Sequence, residues 1–160
     1  MAAIVSRKLA NSLKLCSVAD LVNRRPSLNL WVRSFHYLEN LRSRNHPLTD
    51  RLYRAVTADG AGLNIEYKLE NVVNRLKSQR AAFLMEFNSA QYLFRDDCEL
   101  VVVRDLATLM PRNIVFYLQQ GSPYLGAFNE GIRRLKEDGT ITRLHSDYWI
   151  SQWCPQYSCY

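Results

Sequence analysis

Residues 121–149, GSPYLGAFNEGIRRLKEDGTITRLHSDYW, constrain the fold of this chain more than any other stretch. Ser122 is a good helix N-cap and Pro123 falls where the first helical residue has no N–H partner to lose. Leu125, Phe128, Ile132 and Leu135 then recur at spacings of three and four and draw one apolar stripe. Gly139 supplies a left-handed stop. Thr140 is placed to cap a second helix carrying Ile141, Leu144 and Tyr148 on one face. Two short amphipathic helices can thus be read directly from these residues.

The rest of the chain narrows the possibilities. Its 160 residues make one domain or a piece of one, and an apolar fraction of 48% is that of a chain that builds a core. The net charge of +6 is spread along the sequence in pairs and short mixed stretches. A nucleic-acid binder concentrates its basic residues on one face or arm, so no nucleic-acid partner is expected. No apolar run reaches the 18 residues that a membrane helix needs. The first sixteen residues, MAAIVSRKLANSLKLC, are interrupted by Arg7, Lys8 and Lys14 and lack the continuous core of a secretory signal. This leaves either an intracellular protein or a chain without its original N-terminus.

Short apolar runs alternate with helical patterns. Helices are expected over 17–23, capped by Ser17, then over 35–41, 48–56, 67–80 and 88–94. Strands are expected over 28–32, 81–85, 98–103 and 113–118, with a loop over 58–62. Such alternation defines an α/β domain. No catalytic constellation occurs. His36, His46 and His145 are scattered, Asp96-Asp97 reads as a solvated turn, and no phosphate loop or nucleophile elbow is present. No enzyme activity, cofactor or metal is therefore expected. Cys16, Cys98, Cys154 and Cys159 lack zinc spacing, and would pair only in an oxidising compartment.

Several of these pieces together resemble the second ligand-binding segment of the ionotropic glutamate receptors, of the periplasmic-binding-protein-like type 2 kind. Ser17-Val18-Ala19-Asp20-Leu21 looks like the start of that segment after the third membrane helix. Ala82-Phe83-Leu84-Met85-Glu86 looks like its strand ending in an acidic ligand contact, and Cys98 matches its cysteine in the following strand. Residues 113–118 correspond to the strand that crosses back to the first lobe. Gly121-Ser122-Pro123, Glu137-Asp138-Gly139 and Asp147-Tyr148-Trp149 follow in the family's order. The looser match in the first half is closer to the chemosensory ionotropic receptors than to synaptic ones.

The resemblance implies an α/β, periplasmic-binding-protein-like lobe with closing C-terminal helices, an incomplete bilobed domain. Residues 1–14 would be a linker stump after a missing pore helix, 15–154 the ligand-binding segment, and 155–160 a tail. It implies a disulfide from Cys98 to Cys154, with Cys159 as the competing partner and Cys16 left without one. Glu86 would pair with a ligand ammonium or accept a hydrogen bond from the ligand, and Ser34 would stand near the family's Gly-Ser-Thr anion cradle. The local Arg33-Ser34-Phe35-His36-Tyr37 has neither that glycine nor the Ser-Thr pair, which argues against glutamate. Partners implied are a small-molecule ligand, the first ligand-binding lobe and channel helices of the same subunit, and other receptor subunits. The segment would be extracellular within a cell-membrane receptor gating cations, and the chain a fragment of it. Phe128, Ile132, Leu135 and Leu144 would be exposed in the chain by itself. A soluble solute-binding-like decoy or carrier and a small basic adaptor are the alternative readings.

Overall fold

The computed structural model describes residues 1–23, 28–43, 45–57, 64–104, 113–150 and 154–159. The chain opens on β1 (Ala2–Ser6), followed by α1 (Arg7–Leu13), α2 (Val18–Asn23), β2 (Asn29–Val32), α3 (Phe35–Ser43) and α4 (Pro47–Thr57). It continues through α5 (Leu69–Ser78), β3 (Ala81–Met85), α6 (Phe87–Phe94) and β4 (Leu100–Arg104). It ends on α7 (Leu125–Glu137) and α8 (Thr140–Trp149).

The strands form one sheet in the order β2-β3-β1-β4. β2 and β3 run parallel, with Trp31 opposite Phe83 and Val32 opposite Leu84. β1 runs antiparallel to both of its neighbours, β3 and β4. Side chains alternate across the sheet, so each strand feeds two cores. Ala3, Val5, Leu30, Val32, Ala82, Leu84, Val101 and Val103 pack with residues of α1 to α4 on one face. Ala2, Ile4, Ala81, Phe83, Met85 and Leu100 pack with Val72 and Leu76 of α5 and Ala90 and Phe94 of α6 on the other. Helices thus cover both faces of the sheet.

This arrangement corrects the expectation for residues 1–14. Ala2, Ala3, Ile4 and Val5 are fully buried in the centre of the sheet, paired along both edges. A strand covered on both faces needs only a few consecutive apolar residues. Arg7 and Lys8 do not interrupt that run. They begin α1, which Ser6 caps by accepting a hydrogen bond from the Leu9 N–H at 3.3 Å.

Most other elements lie within two residues of the sequence expectation, and the deviations have local causes. α2 follows Ser17, but the Asp20 carboxylate does the capping, accepting from the Cys16 and Ser17 amides at 2.9 and 2.8 Å. β4 begins at Leu100 because Asp97 closes a turn before it, accepting from the Glu99 amide at 3.1 Å. α7 begins at Leu125, since Ser122 Oγ accepts from the Tyr124 amide at 3.3 Å in the turn ahead of it. Gly139 has φ +78°, the left-handed stop between the last helices. Arg24-Arg25-Pro26 and the loop at 58–62 lie outside the described residues.

The strand expected at 113–118 is not formed. Ile114 and Tyr117 are 89% and 93% exposed, and the stretch joins no ladder among the described residues. A strand exists only where a neighbour takes its backbone hydrogen bonds.

Candidate functional site

β2 and β3 are adjacent and parallel, so their carboxyl ends open on the same side of the sheet. Each leads within two residues into a helix. β2 passes through Arg33 and Ser34 into α3, and β3 passes through Glu86 into α6. Two helix N-termini, with their free amides and positive dipole ends, are thereby placed beside the carboxyl ends of parallel strands. A cleft of about 200 Å³ lies there, lined by Arg33, Ser34, His36, Tyr37, Met85, Glu86 and Ser89.

Ser34 and Glu86, chosen from separate parts of the sequence, therefore face one cleft. Ser34 Oγ accepts from the Tyr37 amide at 3.2 Å and caps α3. Its hydroxyl proton still has a direction left to donate in. The Glu86 carbonyl accepts from the Ala90 amide at 3.0 Å, and its carboxylate accepts from Ser89 Oγ at 2.6 Å. Met85 is almost fully buried and gives the cleft an apolar wall.

Sequence reasoning singled out neither Arg33, His36 nor Ser89. Ser89 was detectable, because a hydroxyl three residues into a helix reaches back to an acidic residue at the cap. Arg33 and His36 lie in the 33–37 segment, whose sequence stands out only for lacking a glycine and a Ser-Thr pair.

A larger hollow of about 430 Å³ lies between α6, β4 and the tail, with Arg7, Arg95 and Arg104 on its wall. These arginines are engaged within the protein. Arg7 donates to the carbonyls of Cys98 and Pro155, each at 2.8 Å. Arg95 pairs with Asp96 at 3.3 Å, and Arg104 lies over the Phe87 ring at 4.8 Å. Arg7 thereby ties the tail to the start of α1, while Arg95 and Arg104 are engaged by neighbours on or just after α6. Asp97 sits in the expected turn before β4, its carboxylate bound by Lys77 Nζ at 2.8 Å, and Lys77 also binds Glu99 at 2.7 Å.

Cys98 is bonded to Cys154, with Cα atoms 5.0 Å apart. Cys159 is bonded to Cys16, which sequence reasoning had left unpaired, with Cα atoms 5.3 Å apart. Between these staples the Tyr157 hydroxyl donates to the Ala10 carbonyl at 3.0 Å. Residues 154–159 are thus fastened across α1.

A sheet with helices on both faces and a small polar cleft at the ends of parallel strands is an α/β arrangement of the kind in which such clefts bind ligands. Known proteins make the assignment more particular. The chain is 29% identical over 100 residues to a kainate-type ionotropic glutamate receptor of Caenorhabditis elegans, glr-3, a match spanning 62% of this chain and 12% of that protein. Its fold is similar to that of the Drosophila muscle GluRIIB in complex with glutamate, with a TM-score of 0.64 at 18% identity, covering 94% of this chain and 60% of that one. No family model matches the chain. Sequence match and fold together support an ionotropic glutamate receptor ligand-binding segment.

Proposed function

We propose that this chain is the ligand-binding portion of a ligand-gated cation channel subunit of the chemosensory ionotropic type, held outside the cell as part of a membrane receptor. A small molecule occupies the cleft at Ser34 and Glu86 and is closed in from the other side by a first ligand-binding lobe. The closed cleft is favoured by as much as the ligand binds it better than the open one, and that difference drives the channel. The function is recognition rather than catalysis.

The observation that carries this reading is the convergence of Ser34 and Glu86 on one cleft between two helix N-termini. Two further features support it. Neither α7 nor α8 contains a buried residue, and Phe128, Leu135 and Leu144 of their apolar stripes stand exposed, which calls for a covering surface. The two disulfides suit an extracellular setting. Among the described residues no helix is long and apolar enough to cross a membrane, so channel helices would come from other parts of the subunit.

The test is to recover the full-length transcript, express the subunit with candidate partner subunits, and record ligand-evoked cation currents. Membrane spans flanking this segment, and a current lost in Glu86→Ala at unchanged surface expression, are expected. A transcript without spans, or a Glu86→Ala receptor with unaltered responses, overturns the proposal.

A further inference from the structure

Taking the cleft as a ligand site, its side chains narrow the chemistry of what it takes. It holds Arg33 and His36 on the α3 side and Glu86 and Ser89 on the α6 side. Among the described residues no ion pair or hydrogen bond engages the Arg33 guanidinium or the His36 imidazole. An exposed guanidinium on the cleft wall, with no counter-ion among the described residues, offers a planar fork of donors that suits a carboxylate. Glu86 differs, because part of its acceptor capacity is already filled by the Ser89 hydroxyl at 2.6 Å. Its remaining lone pairs can accept one more donor.

An ammonium brought to Glu86 would stand in the same small cleft as Arg33, and close to two positive helix ends. A hydroxyl meets no such repulsion. The volume of about 200 Å³ is also small beside the roughly 300–1,000 Å³ of pockets for drug-sized ligands, so only a compact molecule fits this half of the site.

We infer that the cleft selects a small hydroxycarboxylate, its carboxylate on Arg33 and His36 and its hydroxyl donating to Glu86. Arg33 and His36 are thus specificity-determining residues that replace the missing anion cradle with side-chain charge. This inference rests on the receptor reading above, and the experiment separates the two.

The full chain, isotope-labelled and with both disulfides formed, is titrated by NMR with lactate, propionate and propylamine in turn. Lactate is expected to give saturable shifts of the Arg33 Nε–H, the His36 Cε1–H and the Glu86 amide, with propionate weaker and propylamine without effect. Arg33→Gln should weaken lactate about tenfold, the size expected for a lost charge-assisted bond. Arg33→Lys, which keeps the charge and loses the fork, should fall between. Glu86→Gln should erase the advantage of lactate over propionate. Saturation by propylamine without lactate, or lactate binding indifferent to both Arg33→Gln and His36→Gln, overturns the hydroxycarboxylate and leaves the cleft a ligand site. Silence from all three probes overturns the hydroxycarboxylate on Arg33 and Glu86, while the receptor reading stands or falls by the Glu86→Ala currents.

Discussion

Two regions of this chain carry equally regular amphipathic helices and use them in opposite ways. The described residues up to 104 close on themselves, with β3 and all of β1 but Ser6 buried between helical layers. Residues 113–150 form two well-made helices with nothing buried, held to the body at Tyr92 against Trp149, with ring centroids 5.4 Å apart. Within this arm the contacts are local, such as Phe116 against Phe128 at 5.7 Å and Arg133 between Glu130 and Glu137. Periodicity creates a face that can be buried; it does not supply the surface that buries it. In the body that surface is the sheet, and in the arm it is left open.

The sharpest way to break this contrast is to make the same substitution in each region. Phe83→Ala in the body removes a fully enclosed ring and should cost about 3–5 kcal/mol in a urea titration. Phe128→Ala removes a ring already 43% exposed and should cost well under about 1 kcal/mol by the same titration. Equal losses would mean that the arm packs against something within the chain and would end the comparison.

Next in size are the staples. Cys98→Ser with Cys154→Ser should lower stability by about 2–4 kcal/mol, because it releases a loop with a sequence separation of 56 residues. Since the freed loop contains the whole arm, hydrogen exchange should quicken in α7 and α8 more than in β1 and β3. Removing Cys16–Cys159 should free the tail and α1 and leave the arm's exchange unchanged, because Cys98–Cys154 still anchors it.

The smallest effects are those of pH, and acid reaches both regions, since Glu66 in the body is also held low, first by the Lys68 amide. Asp138, in the turn between α7 and α8, is held below the usual carboxylate range first by the Thr140 amide, which donates to it at 2.8 Å. Glu130 is lowered by Arg133 and then Arg134. A group with a lowered folded pKa stabilises fully above its unfolded value, about 4, and loses that contribution as pH falls through the folded one. Lys77 is raised by Asp97 and Glu99, so its contribution is complete below the unfolded value of about 10.4 and fades above it. Acid should therefore loosen the arm's helix pair and alkali the α5–β4 junction, read as amide shifts at Thr140 and Leu100. Acid shifts confined to the body would contradict this.

Local signals in the sequence carried much of this structure. The Leu125-Phe128-Leu135 spacing, the Gly139 stop and the apolar run at 81–85 each encode an element through near neighbours, and the structure places those elements close to where they were expected. The α/β class followed from their alternation. The elements misread were those whose identity depends on distant residues. Ala2–Ser6 is a strand because Ala82 to Met85 and Leu100 to Arg104 flank it, whereas residues 113–118, richer in β-forming side chains, have no flanking strand among the described residues.

The candidate site divides in the same way. Glu86 was legible as a carboxylate at the end of a strand, and Ser34 came only from the family resemblance. That they share a cleft, and share it with Arg33, His36 and Ser89, follows from the parallel pairing of β2 and β3 across some fifty residues of chain. The partner of Cys16 was equally hidden, since 143 residues of separation leave no trace in local spacing. The sequence by itself determined all the described helices but α1, and the apolar run of β3, because those depend on periodicities reaching a few residues. The tertiary structure alone decided which strands pair, which cysteines meet and which charges converge, because these require apolar surfaces far apart in the chain to be buried together.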